Sequence, residues 1–268
     1  MPEGDTIHRV ADRLRPALAG QVLERFEARR AVGPRPRPGA TVDTVEAKGK
    51  HLLIGFSDGV VLHTHLRMTG TWHLYRSGSR WRLPGHLARA VVGVADWEAV
   101  CFKAPVVDLY REPPAHLPRP LDHLGPDLCL ADPPIDEVLA RLAGRADEYT
   151  EIAPLLLDQQ VAAGIGNVFK SEVLWAGRVS PFARVRDLDV ETRRRLVTIA
   201  ARQLRANVTL PGERSTLPGG GLAVYGRRGR PCLRCGTPID KRLQGEDPRV
   251  TYWCPQCQPT KAQPEVGA

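Results

Sequence analysis

Long apolar runs are what this chain most plainly lacks. The richest stretch, around Leu155-Leu156-Leu157, falls far short of the roughly 20 residues a membrane-spanning helix needs. No apolar segment follows the opening Met-Pro-Glu-Gly-Asp-Thr-Ile-His-Arg, and acidic residues come at once. A secretory leader is therefore not expected, and a cytoplasmic setting close to the nucleoid is. Lysine is scarce too: six residues (Lys48, Lys50, Lys103, Lys170, Lys241 and Lys261) against 32 arginines. Codon bias in a GC-rich genome accounts for most of that skew. Methionine occurs only twice.

What is present points to a folded, basic protein. The 268 residues carry 42% hydrophobic and 25% charged side chains, enough for one large domain or two modest ones. The net charge of +8 favours a polyanionic partner, since clustered cations release counterions from a phosphate backbone. Charge alone does not separate DNA, RNA and membrane surfaces. Of six cysteines, Cys101 and Cys129 stand alone and read as inert fillers.

Periodicity divides the chain. Ile7, Val10, Leu14 and Leu18 recur at helical spacing, with Asp5 or Thr6 suited to cap the helix and Gly20 to end it. From Thr41 to about Leu109 the pattern is of strands: 42–47, 51–56, 60–65, 71–75, 90–94 and 99–102, with a Ser57-Asp58-Gly59 turn. A proline-rich linker follows, and then helices at 136–143, 148–160, 168–176 and 190–206. The expectation is an α+β multidomain protein. Its parts are a β-sandwich domain with an N-terminal helix (1–112), a linker (113–134), a helical domain (135–222), a metal-binding finger (223–258) and a disordered tail (259–268).

Three motifs carry chemistry. Cys232-x2-Cys235, eighteen residues, then Cys254-x2-Cys257 is the spacing of a four-thiolate zinc site. With all four tetrahedral positions taken by protein, one structural zinc ion is expected. Residues 240–243 and 250–253 are expected to pair as strands around a Gly245-Glu246-Asp247-Pro248 turn. The second motif, Leu155 through Lys170, reads as helix, glycine turn, helix, with Asn167 capping the second helix and offering a helix N-terminus to phosphate. Taken alone, an ordinary helical hairpin inside a core explains it slightly better. The third is the start: removal of Met1 would expose Pro2 as a secondary amine, and since an α-amino group titrates near about 8 a useful fraction is neutral at physiological pH. Such an amine attacks a sugar C1′, and Glu3 beside it could shuttle protons.

Taken in order, these motifs resemble the formamidopyrimidine-DNA glycosylase and endonuclease VIII family of DNA repair enzymes, over residues 1 to about 258. The opening Pro-Glu-Gly is more similar to the endonuclease VIII branch. The resemblance implies a helix–two-turn–helix domain, with Pro2 as Schiff-base nucleophile and Glu3 as general acid/base. It also implies that Lys50 contacts phosphate beside the lesion, and that Asn167 and Arg249 grip the backbone. Lys48, on the same face of one strand by this reading, is the neighbour passed over. Met68, with Arg67 contributing, resembles the wedge that fills the gap left by a flipped base. His63 and His65 alternate on a strand and read as structural. Thr6 stands where the family often has glutamate, which leaves lesion range open; Asp5 could substitute.

The resemblance implies a monomer that acts on damaged double-stranded DNA and touches no membrane. It would release oxidised pyrimidines and cut by β,δ-elimination, since the loop 210–221 is short. The rivals are an 8-oxoguanine enzyme and, from another class, a non-catalytic zinc-containing DNA-binding protein.

Overall fold

The computed structural model describes residues 2–113, 116–117, 119–147, 149–209 and 212–259. Met1 and the tail from residue 260 lie outside them, as do residues 114, 115 and 118 of the expected linker and the first two of the loop 210–221. The chain divides after His123 into two units.

The first unit begins with helix α1 (Gly4–Leu18). Eight strands follow: β1 (Arg25–Glu27), β2 (Val42–Lys48), β3 (His51–Phe56), β4 (Val60–His65), β5 (Thr71–Arg76), β6 (Ala88–Gly93), β7 (Trp97–Phe102) and β8 (Val106–Arg111). They form two antiparallel sheets, ordered β2-β3-β4-β8 and β1-β6-β7-β5. Leu52, Ile54 and Phe56 alternate inward along β3 and meet Trp72, Val92 and Cys101 from the other sheet in one core. Trp72 reaches across, its Nε1–H donating to Thr64 Oγ1 at 3.1 Å, so the buried indole is satisfied. Ile7, Ala11, Leu14 and Leu18 put one stripe of α1 into the same core. Each such buried aliphatic is worth about 1.5–3 kcal/mol.

Two strands escaped the sequence pattern. β1 has three residues, and β8 follows Pro105 and carries Asp108 and Arg111, which break apolar alternation. The cap of α1 is Glu3, two or three residues before the expected Asp5 or Thr6, and Gly20 (φ +78°) follows the helix end as expected.

The second unit holds α2 (Ile135–Gly144), α3 (Ile152–Leu157), α4 (Asn167–Gly177), α5 (Val190–Thr209) and a hairpin of β9 (Asp240–Gln244) and β10 (Arg249–Trp253). α3 is much shorter than the expected 148–160. Pro154 cannot donate and fits only the first turn, which fixes the start. At the other end the Gln159 amide donates to Leu157 O (2.7 Å) and Ile165 O (3.0 Å) and accepts from Gly164 N–H (3.1 Å), knotting the turn. The sequence 124–134, expected as linker, belongs to this unit: Leu128 and Cys129 are fully buried in its core, and Leu128 N–H donates to Ala163 O. The described helices include none long and apolar enough to cross a membrane.

Candidate functional site

The direction of α1 decides where Pro2 and Glu3 lie. Gly20 N–H donates to Val42 O (2.8 Å), and Arg15 Nε–H donates to Val45 O (2.9 Å). Helix and strand β2 therefore run in opposite senses. Glu3 is about 18 Å back along the helix from Arg15, and β2 runs about 10 Å on from Val45 to Lys48, at the turn that Lys50 closes. Pro2, Glu3 and Lys50 arrive at the same end of the sandwich. Glu3 is fully buried as the N-cap residue, and half-buried Pro2 precedes it at the positive end of the helix dipole.

Lys48 and Lys50 do not share a strand face. Lys48 ends β2, Gly49 turns at φ +57°, and Lys50 precedes β3, so the chain reverses between them. Lys48 is engaged elsewhere, its Nζ lying 3.8 Å from Asp122 Oδ1.

Between β4 and β5 the segment Leu66–Gly70 folds back on itself. Leu66 is buried, Gly70 N–H donates to Leu66 O at 2.8 Å, and a Cβ at position 70 would lie 2.8 Å from Leu66 Cα, so only glycine fits. Arg67 takes a left-handed conformation (φ +47°), and Met68 stands 66% exposed, not in the core. Thr69 Oγ1–H donates to Lys103 O at 3.1 Å and holds the loop's trailing side.

Beside this loop lies a histidine cluster whose members the sequence did not bring together. The strand register places His51 opposite His65 and His63 opposite Asp108. His63 Nδ1 is 3.3 Å from Asp108 Oδ2, and His63 Nε2 is 2.8 Å from His51 Nδ1. The carboxylate only accepts, so His63 donates through Nδ1 and accepts at Nε2 from His51. That direct contact leaves no room for an ion between the two rings. Burial first, then the neighbouring His65, His63, His123 and Lys50, pushes His51 down to about 3. Burial, Arg67 and Lys50 push His65 down to about 4. Both rings stay neutral at physiological pH.

In the second unit Asn167 opens α4 as its first residue, and Gly166 is the cap; no side chain caps this end. Asn167 is 8% exposed and its Oδ1 has no hydrogen-bond partner among the described residues. A half-turn of the amide about χ2 brings its N–H donors to that position. Arg249 is half-exposed at the start of β10 and pairs with exposed Asp247. Glu172, fully buried on α4, accepts from Ala223 N–H (2.8 Å), Val224 N–H (2.9 Å), Tyr225 N–H (2.8 Å) and the Thr216 hydroxyl, tying the glycine-rich loop to the helix. Lys170 and Glu172 were missed as organising residues. The available signal was two charges inside Val168–Trp175, a segment otherwise too apolar for a solvent-facing helix.

The four finger cysteines converge, all their Sγ atoms lying within 4.8 Å of one another. Cys232–Cys257, Cys235–Cys254 and Cys235–Cys257 separations are 3.9, 3.5 and 3.5 Å. A tetrahedral zinc with bonds of about 2.3 Å needs sulfurs about 3.8 Å apart, so the set fits a zinc ion. Burial raises the Cys232 thiol, yet the Arg234 backbone N–H and other donors outweigh it and bring it down to about 6. Cys101 and Cys129 are buried away from this group, and burial holds the Cys101 thiol well above its ordinary range.

Three family models match the chain in succession. Residues 1–105 match the formamidopyrimidine-DNA glycosylase N-terminal domain, residues 124–217 the H2TH domain of the same enzymes, and residues 229–260 the zinc finger found in FPG and IleRS. A probable endonuclease 8 2 of Streptomyces coelicolor is 44% identical over 96% of this chain and 94% of its own. The DNA-(apurinic or apyrimidinic site) lyase Nei2 of Mycolicibacterium smegmatis is 37% identical over 96% and 99%. Among solved structures, MutM (FPG) from Thermus thermophilus superposes with a TM-score of 0.77 at 30% identity, covering 97% of this chain and all of that one.

Proposed function

This chain belongs to the formamidopyrimidine-DNA glycosylase and endonuclease VIII family, and on that premise we propose how its own residues carry out base excision and strand cleavage. It is a bifunctional DNA glycosylase and abasic-site lyase, and oxidised pyrimidines in duplex DNA are its preferred substrates. The reading is supported by the antiparallel run of α1 and β2, which puts Pro2 and buried Glu3 toward the end of the sandwich where Lys50 lies, with the amine on a helix N-terminus.

With Met1 removed, the Pro2 nitrogen is a secondary amine whose protonated form the helix dipole disfavours. Its lone pair forms the bond to C1′ as the glycosidic bond breaks, and the N–H proton it then sheds passes to the departing base. Protonated Glu3 donates its proton to the ring oxygen as the sugar opens, leaving a cationic iminium between Pro2 and C1′. The iminium acidifies C2′–H. Loss of that proton expels the 3′ phosphate, and a second proton loss, from C4′, expels the 5′ phosphate. Lys50 holds the phosphate beside the lesion, Asn167 and Arg249 grip the backbone, and Met68 with Arg67 fills the space the flipped base leaves. Cys232, Cys235, Cys254 and Cys257 would hold a zinc ion, which with all four positions taken by thiolates would supply no catalytic chemistry and would brace the hairpin that carries Arg249.

Borohydride trapping across a lesion panel tests this. Covalent capture on thymine glycol and 5-hydroxyuracil duplexes is expected, at least tenfold faster than on 8-oxoguanine, and Pro2→Ala abolishes it. Faster capture on 8-oxoguanine overturns the pyrimidine preference. Capture that survives Pro2→Ala overturns the nucleophile.

A further inference from the structure

Lys170 is an expensive residue to keep. It is 1% exposed on α4, and an uncompensated buried ammonium costs several kcal/mol. Its Nζ donates to Val250 O at 3.1 Å and to Thr251 Oγ1 at 2.8 Å. The Thr251 hydroxyl passes its own proton to Gln244 Oε1 at 2.8 Å. The Gln244 amide then donates to the Glu151 carboxylate at 2.6 Å and to Pro181 O at 2.9 Å. These three side-chain bonds point the same way, from the Lys170 amine through two neutral side chains to a carboxylate. Thr251 is fully buried and Gln244 nearly so. Such a chain polarises its own members, and all of it lies within the second unit.

Its endpoints explain its use. Val250 and Thr251 directly follow Arg249, and Gln244 is the cross-strand partner of Arg249 in the β9–β10 register. The next residue along α4, Ser171, is also fully buried. Its hydroxyl donates to Asn167 O at 3.3 Å and accepts from Tyr252 N–H at 3.4 Å. The backbone of Arg249 is thus held from its sequence neighbours and from across the strand, and the same stitching is anchored on the helix that begins with Asn167.

We propose that Lys170, acting through Thr251 and Gln244, is a positioning residue that sets Arg249 and Asn167 at the spacing of two grips on one DNA backbone. This deepens the function proposed above and rests on those two residues being phosphate contacts. An apolar side chain would fill the Lys170 site at lower cost, so the charge is retained for alignment rather than for stability.

A double-mutant cycle on the full-length zinc-loaded protein tests it, using a duplex with one stable abasic-site analogue. Alone, Arg249→Ala is expected to raise the Kd about tenfold. Lys170→Met and Thr251→Val, which keeps side-chain volume while cutting the chain midway, are each expected to raise it five- to tenfold. Both should retain one zinc and leave the saturating single-turnover rate within twofold. In either background, adding Arg249→Ala should cost less than a further twofold. If instead Arg249→Ala costs its full tenfold in the Thr251→Val background, the positioning role is overturned, whether or not Lys170→Met folds. If Arg249→Ala has no effect even in the unaltered protein, the phosphate-grip reading itself is at fault and the positioning role falls with it.

Discussion

At the scale of single residues, the histidines beside Lys50 make the sharpest demand on solution behaviour. In the unfolded chain His51 and His65 titrate near 6.5, whereas folding lowers them to about 3 and about 4, burial being the largest cause in each. Between those values the unfolded chain binds protons that the folded chain refuses, so stability rises with pH. The contribution is fully present above pH 6.5 and is lost as pH falls toward 4. The groups facing these rings are His63, His123, Asp108, Lys50 and Arg67. The melting temperature should hold level from pH 8 to 7 and fall steadily from 6.5 to 4, and His51→Gln with His65→Gln should flatten that fall. An equally steep fall in the double variant would assign it to carboxylates instead. The sequence displayed His63 and His65 as alternate residues on one strand but gave no means of adding His51 and Asp108. Cross-strand partners depend on register, which turn lengths and bulges set at a distance.

At the scale of elements, periodicity carried the reading where a side chain had one neighbour class to satisfy. β3 and β4 fall at 51–56 and 60–65 because apolar residues crowd one face and a Ser-Asp-Gly turn joins them. It failed where a single residue or a tertiary contact decided the boundary. Pro154 starts α3 late, Gln159 ends it early, and Gly166 displaces Asn167 as cap of α4. The zinc ribbon was the most legible element, because four thiolates at fixed spacing have few other uses. Its hairpin has little core of its own: β9 is exposed except at Gln244, and Ile239, Cys232 and Cys254 bury mainly against Trp175 and Val224. A metal bound by the four thiolates would supply the missing constraint. Stripping zinc with a chelator near pH 7 should release one ion per chain and raise the Kd for abasic DNA by tenfold or more, with recovery on adding zinc and none on adding magnesium. Metal-free protein that binds abasic DNA undiminished would remove the link between the ribbon and the backbone grip.

At the scale of the whole molecule, the question is which of 38 cationic side chains meet the DNA. Net charge of +8 is an argument about attraction, not about contact. Many arginines are already committed: Arg25 to Glu27 and Glu98, Arg145 to Asp158, Arg194 to Asp136, and Arg234 to the Trp175 carbonyl and ring face. The residues assigned to phosphate include two cations, Lys50 and Arg249, with Asn167 contributing hydrogen bonds but no charge. Each neutralised phosphate adds about −0.9 to the slope of log K against log salt on duplex DNA. Two contacts predict a slope near −2, so raising salt from about 50 to about 200 mM should weaken abasic-duplex binding roughly 12-fold. Arg249→Ala should bring the slope to about −1, and scrambling the flanking sequence should change neither value, because backbone contacts carry no sequence information. A slope much steeper than −2 would enlist cations beyond these two. A slope shallower than about −1 would mean that burial of apolar surface, not the phosphate grip, holds the duplex, and the arrangement of Lys50 and Arg249 would then need another purpose.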